Sequence, residues 1–329
     1  MKPFCFIHSY LKASIIAVLL FCVWPCFSQT KGKQVPQKNK AWLVALPGDV
    51  KVPMIWVDPA TFTMGSPATE KGHKADESLQ TTVTITKGFW LGKTELTIGQ
   101  WKALTGMNVR DKVMKMLSDE TLYDFNGKQQ KIRDFMNFDP ANPDKIMVNE
   151  NDEMPMYFVS WNEAMDFCRQ LTKQEQAAGR LPAGYAYTLP TEAQWELACR
   201  GIKGNRVDTS TVDLNTVAWY NKTSAIGYTG RGLGKPLAGP RNVGQKLPNA
   251  LGLQDMLGNL WEWCRDWYGP LPGGNLVDPG GPATGGFKAN KGGSWGSGAN
   301  DQRAANRAQN PPNEDSAYRG FRIALCALQ

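Results

Sequence analysis

Between Gly201 and Gly298 the chain is crowded with glycine, proline and asparagine and has few long periodic hydrophobic segments. Such composition can mean disorder. Here it is interleaved with Trp219, Tyr220, Trp261, Trp263, Trp267 and Tyr268, which a disordered segment rarely carries. An ordered region built largely from loops is expected. Long ordered loops need reinforcement, and disulfides and bound cations are the usual suppliers.

Upstream, local signals are clearer. KVPMIWVDPATFTMGS and LQTTVTITKGFWLGKTEL are rich in β-branched and aromatic residues with partial alternation, and predict strands. Thr97 is placed to cap a short helix through Leu104. Ser160 with Glu163, and Thr191 with Gln194, fit the capping-box pattern, in which side chain and backbone satisfy each other's orphan groups. The first predicts a helix to about Gln174, with Ala164, Phe167, Cys168 and Leu171 on one face; the second predicts a helix stopping at Gly201. Residues 107–153 are charged and without clear period, and read as an insertion with one short helix.

Residues 1–28 combine Lys2 and Lys12, an apolar run from Ala13 to Phe27, and small residues at Cys26 and Ser28, the layout of a cleaved export signal. The rival reading is an uncleaved anchor; either way the body lies outside the cytoplasm: periplasmic, cell-surface or secreted. A polar linker, 29–40, follows, and the domain runs from 41 to 329. No later segment is long and apolar enough to span a bilayer. Of 37 lysines and arginines only Lys2 and Lys12 leave with the signal, against 30 acids, and the remainder are scattered. Nucleic-acid binding wants a concentrated basic stripe and is not expected.

Cys5, Cys22 and Cys26 also leave with the signal, which keeps Cys168, Cys199, Cys264 and Cys326. Four cysteines in an exported chain favour two disulfides, with three possible connectivities. His73 is the only histidine of the mature chain, so a Cys/His zinc site is not expected.

Five motifs then appear in order: MPMYFVSWNEAMDFC, YTLPTEAQWELACRG, NALGLQDMLGNLWEWCRDWYG, KGGSWGS and AYRGFRIAL. Together they resemble the sulfatase-modifying-factor, or formylglycine-generating enzyme, family over about residues 50–326. The resemblance implies one α/β (α+β) domain, irregular and loop-rich, a variant of the C-type lectin fold. The family's enzymes convert a sulfatase cysteine to formylglycine with two cysteines, just after the GGS motif, that hold copper(I); soft thiolates suit that ion. Here the matching positions carry Ser297 and, near the second, Gln302, and no cysteine lies between Cys264 and Cys326. Copper is therefore not expected, and no catalytic residue is assigned. A serine hydroxyl cannot do thiolate redox chemistry. Ser297 as a nucleophile would have only His73 as its base. The iron-dependent sulfoxide synthases of the same superfamily need a histidine-rich site that this chain lacks.

The resemblance further implies a structural calcium site from the Asp255 and Glu262 carboxylates and the Gly258 and Leu260 carbonyls, an oxygen set that suits calcium. Asn221 is a weaker match to a second site. It also implies the pairings Cys168–Cys326 and, with Cys264 as an added cysteine, Cys199–Cys264. Trp295, Arg303 and Arg307 are candidates for a binding surface, and the aromatic set otherwise reads as core. The leading expectation is a non-catalytic binding or assembly module for an extracytoplasmic protein, peptide or glycan, with the loops 291–315 and the insertion as its variable face. The alternative is a formylglycine-generating oxidase-type or other enzyme working through different residues.

Overall fold

The computed structural model describes residues 35–125, 127–135, 151–201, 213–224 and 239–328. The expected export signal, 1–28, the first part of the expected linker and residues 225–238 beyond Asn221 lie outside the described residues. In chain order the strands are β1 (Trp42–Ala45), β2 (Lys51–Val57), β3 (Ala60–Met64), β4 (Thr81–Ile85), β5 (Phe89–Gly92), β6 (Tyr123–Phe125), β7 (Lys128–Gln130) and β8 (Tyr185–Thr188). The later strands are β9 (Ala218–Trp219), β10 (Leu257–Gly258), β11 (Trp261–Trp267), β12 (Asn275–Val277), β13 (Lys288–Lys291), β14 (Arg307–Asn310), β15 (Arg319–Gly320) and β16 (Ala324–Ala327). Helices are α1 (Ile98–Thr105), α2 (Val109–Leu117), α3 (Ile132–Phe135), α4 (Trp161–Ala177), α5 (Glu192–Arg200), α6 (Leu214–Val217) and α7 (Asn221–Ser224).

The helices begin where capping chemistry puts them. Thr97, Ser160 and Thr191 each accept a hydrogen bond from the backbone three residues on, and Gln100, Glu163 and Gln194 return it. Each such cap contributes about 1 kcal/mol. In the insertion, Asn108 and Asp111 form a further capping box that opens α2. The region also holds the β6–β7 hairpin and α3, more structure than the single short helix expected.

A five-stranded antiparallel sheet runs β1-β2-β5-β16-β8, so the C-terminal strand sits between elements from the chain's first and middle parts. Leu325 stands opposite Trp90 on one side and Tyr187 on the other. One apolar cluster joins Trp90, Trp101, Phe167, Trp263 and Phe321, and α4 buries Ala164, Phe167, Cys168 and Leu171 into it. A second joins Val83, Phe89, Trp195, Tyr220 and Leu257. The sheet β14-β13-β11-β15 carries the glycine-rich motifs.

The loop-rich half is held by side chains reaching backbone. Trp161 donates to the Cys264 carbonyl and Trp263 to the Val159 carbonyl, each at 2.8 Å. Lys288 is buried with its ammonium 3.9 Å from the Trp161 ring centre and 3.6 Å from that of Trp267. At Gly258, with φ +80°, a Cβ would stand 2.1 Å from the Trp219 carbonyl oxygen, so only glycine lets β10 lie against β9.

The four cysteines are buried free thiols, so the structure forms neither Cys168–Cys326 nor Cys199–Cys264. Burial pushes all four up, Cys199 to about 12 and Cys326 to about 11. Buried ion pairs, Lys291–Glu196, Arg307–Glu192 and Arg322–Glu262, reinforce the loop-rich half.

Candidate functional site

The loop after β13 begins with two left-handed glycines, Gly292 (φ +96°) and Gly293 (φ +78°). A Cβ at Gly293 would also lie 2.7 Å from the Gln302 amide, which would have to shift. The loop then closes on itself. Ser294 N–H donates to the Ser297 Oγ at 3.1 Å, and the two seryl hydroxyls lie 3.1 Å apart. Gln302 is fully buried; its Nε2 lies 3.5 Å from the Ser294 carbonyl and 3.4 Å from that of Gly298. No donor among the described residues meets its Oε1. Ser297 and Gln302 thus close one small polar knot without a thiol. His73 is elsewhere, its ring nitrogens 2.8 Å from Ser66 Oγ and 3.1 Å from Ser78 Oγ, so the geometry supplies Ser297 with no histidine base.

Trp295 is half-buried. Its Nε1 donates to the Ala317 carbonyl at 2.9 Å, and its ring stacks on exposed Tyr318 at 4.5 Å between centres. Asn221 donates its backbone N–H to the Ser297 carbonyl and Ser224 its hydroxyl to that of Trp295, which fixes the loop from the side of α7. Asn221 has an exposed side chain.

Arg303 and Arg307 do not join this surface, contrary to the expectation from sequence. Arg303 is bonded to Glu77, to Glu70 at 3.0 Å and to the Gly72 carbonyl at 2.6 Å. Arg307 makes a fork to Glu192 at 2.6 and 2.8 Å and reaches the Asp76 and Gly269 carbonyls. Both guanidiniums are buried because their partners come from the 66–77 loop and from α5, which the sequence does not place nearby.

The residues expected around calcium surround one turn. Asp255 (φ +54°) accepts the Gly244 N–H at 2.6 Å through Oδ2, and no donor among the described residues meets Oδ1. Burial pushes Asp255 up to about 6. Leu260 N–H donates to Glu95 Oε1 at 3.0 Å and Asn259 Nδ2 to its Oε2 at 2.9 Å. Burial, then the Asp255 and Glu262 charges, raise Glu95 well above the usual carboxylate range. Glu262 is bonded to Arg322 and Trp195. The sequence singles out neither Glu95 nor Arg322, although Arg322 stands in AYRGFRIAL between Phe321 and Ile323, a position where an arginine needs a partner.

Residues 47–327 match the sulfatase-modifying factor enzyme 1-like domain. The chain belongs to this family. A curated formylglycine-generating enzyme of Bos taurus is 30% identical over 200 residues, 56% of this chain and 47% of that protein. The chain spans about half the length of the curated relatives it matches. Two solved structures share the fold of this sulfatase-modifying-factor chain. Treponema denticola variable protein 1 gives a TM-score of 0.61 at 22% identity, covering 88% of this chain and 98% of that one. PvdO from Pseudomonas aeruginosa gives 0.58 at 21%, covering 88% and 99%. Among the described residues no helix is long and apolar enough to cross a membrane.

On β11 Asp266 is buried and pushed up to about 7, first by burial and then by the Glu192 charge; its Oδ2 accepts the Glu192 N–H at 3.0 Å. A carboxyl that is harder to ionise when folded stabilises the fold fully below its unfolded value of about 4 and loses that advantage as pH rises to about 7. The loss is about 4 kcal/mol at 1.36 kcal/mol per unit. Asp266→Asn is expected to flatten the stability profile between pH 4 and 7 and to exceed the wild type at pH 7.5, read by urea denaturation. A variant with the wild-type slope would refute the assignment.

Proposed function

We propose that this sulfatase-modifying-factor domain is an exported binding or assembly module without copper oxidase chemistry. The observation that carries the reading is the Ser297–Gln302 knot, where hydroxyl and amide occupy the region in which the family's enzymes hold two thiolates. Neither group grips copper(I) as a thiolate does. The similarity to formylglycine-generating enzymes supports the scaffold; activity belongs to the site and not to the fold.

The binding face would be the stacked Trp295–Tyr318 pair with the neighbouring 311–318 loop and the insertion. These are joined in one place. The Lys112 ammonium of α2 meets both Glu163 oxygens at 2.5 and 2.6 Å and Asp315 Oδ2 at 3.1 Å, so the insertion's first helix is pinned to that loop. A half-buried tryptophan stacked on an exposed tyrosine suits a peptide side chain or the apolar face of a sugar, on a protein, peptide or glycan outside the cytoplasm. The test is reconstitution of purified protein with copper(I) and a cysteine-containing sulfatase peptide. The expected result is no aldehyde mass shift and no stoichiometric copper. Aldehyde formation dependent on copper would overturn the proposal in favour of an oxidase working through other residues.

A further inference from the structure

We propose that in this chain the Arg322 guanidinium, rather than a calcium ion, is the cation that holds the Asp255–Glu262 turn. Arg322 is fully buried and spends its donors on that turn and on the sheet beside it. Nε donates to Glu262 Oε2 at 2.6 Å and Nη2 to Oε1 at 2.7 Å, a two-point fork. Nη2 also reaches the carbonyls of Gln254 at 3.0 Å and Asp255 at 3.1 Å, while Nη1 reaches those of Gly92 at 2.9 Å and Lys93 at 3.2 Å. Trp195 Nε1 adds a third donor to Glu262, at 2.7 Å on Oε2. One side chain therefore ties β5, the 254–255 backbone and β11 together, the task a structural calcium would perform through oxygen ligands.

The donor set disagrees with calcium at Glu262. Calcium takes six to eight oxygens at about 2.3–2.6 Å and leans on carboxylates for charge. A carboxylate has about four lone-pair sites, and three on Glu262 are already occupied, two of them by a cationic partner. Drawing Glu262 onto a divalent ion would set that ion beside a buried guanidinium and leave the Arg322 and Trp195 donors unmatched. The open Asp255 Oδ1 is a single oxygen, which one water can satisfy. Arginine also cannot be titrated away or chelated, so the turn should be indifferent to the calcium concentration around it.

The experiment uses the intact protein, stripped with EDTA and then titrated with calcium chloride, following the unfolding temperature and calorimetric binding. A ligand held a hundredfold above its Kd moves the unfolding temperature by on the order of several degrees. The expected result is the same unfolding temperature in EDTA and in calcium. Calcium bound equally by the wild type and by Glu262→Gln also supports the proposal, since the ion then sits away from Glu262. A one-to-one calcium whose affinity drops tenfold or more in Glu262→Gln overturns it. Should Glu262→Gln fail to fold, Asp255→Asn reads the same turn: reduced calcium affinity there overturns the proposal and unchanged affinity supports it.

Discussion

Arg307→Met is expected to cost about 3–5 kcal/mol of folding stability, because it strands a buried carboxylate. Glu192 is buried at the first turn of α5, and both of its oxygens receive a guanidinium N–H from Arg307. The same guanidinium reaches the Asp76 and Gly269 carbonyls and lies 4.5 Å from the Tyr268 ring centre. Methionine fills similar volume and replaces none of these donors. Lys291 is 3.6 Å from Glu192 and recovers part of the loss, although it already serves Glu196 at 2.9 Å. Urea denaturation of the variant beside Lys222→Met, at an exposed position, separates the readings. A solvated surface arginine would change stability by no more than about 0.5 kcal/mol, the range expected of the control. Adding Glu192→Leu to Arg307→Met should recover much of the loss, since the pair is worth less than either of its halves left alone.

This result would mark the boundary of what local sequence reveals. The capping boxes at Ser160 and Thr191 need only four consecutive residues, and both helices start where those residues place them. The strand reading of 51–66 and 79–96 rests on equally local composition, and those segments contain β2 to β5. The burial of Arg307 depends on Glu192, 115 residues away in the chain, and that of Arg303 on Glu77, 226 residues away. No window of sequence contains such a pair, so an arginine-bearing loop looks solvated until the fold is known. Glu95 was hidden for the same reason, its partners being Asn259 and Leu260 on the far side of the sequence. That no cysteine stands between Cys264 and Cys326 is legible from the sequence, because absence of a residue type needs no geometry. The stacking of Tyr318 on Trp295 was not.

The tryptophans, which sequence alone could only divide between core and groove, now make opposite predictions. Trp263 is fully buried in the cluster with Trp101, Phe167 and Phe321, and its Nε1 satisfies the Val159 carbonyl just before the α4 cap. Trp263→Ala should cost about 3–5 kcal/mol through the cavity it leaves, with the freed carbonyl adding to the loss. Trp295→Ala should cost far less. Its ring is half-buried, and the stack on Tyr318 is worth about 0.5–1.5 kcal/mol beyond the area covered. Thermal unfolding of both variants, with capture of an extracytoplasmic partner by immobilised protein, distinguishes scaffold from surface. The proposed module requires Trp295→Ala to fold and to lose its partner. A Trp295→Ala protein that unfolds like Trp263→Ala would make the aromatic pair a piece of the core, and the binding face would then have to lie elsewhere.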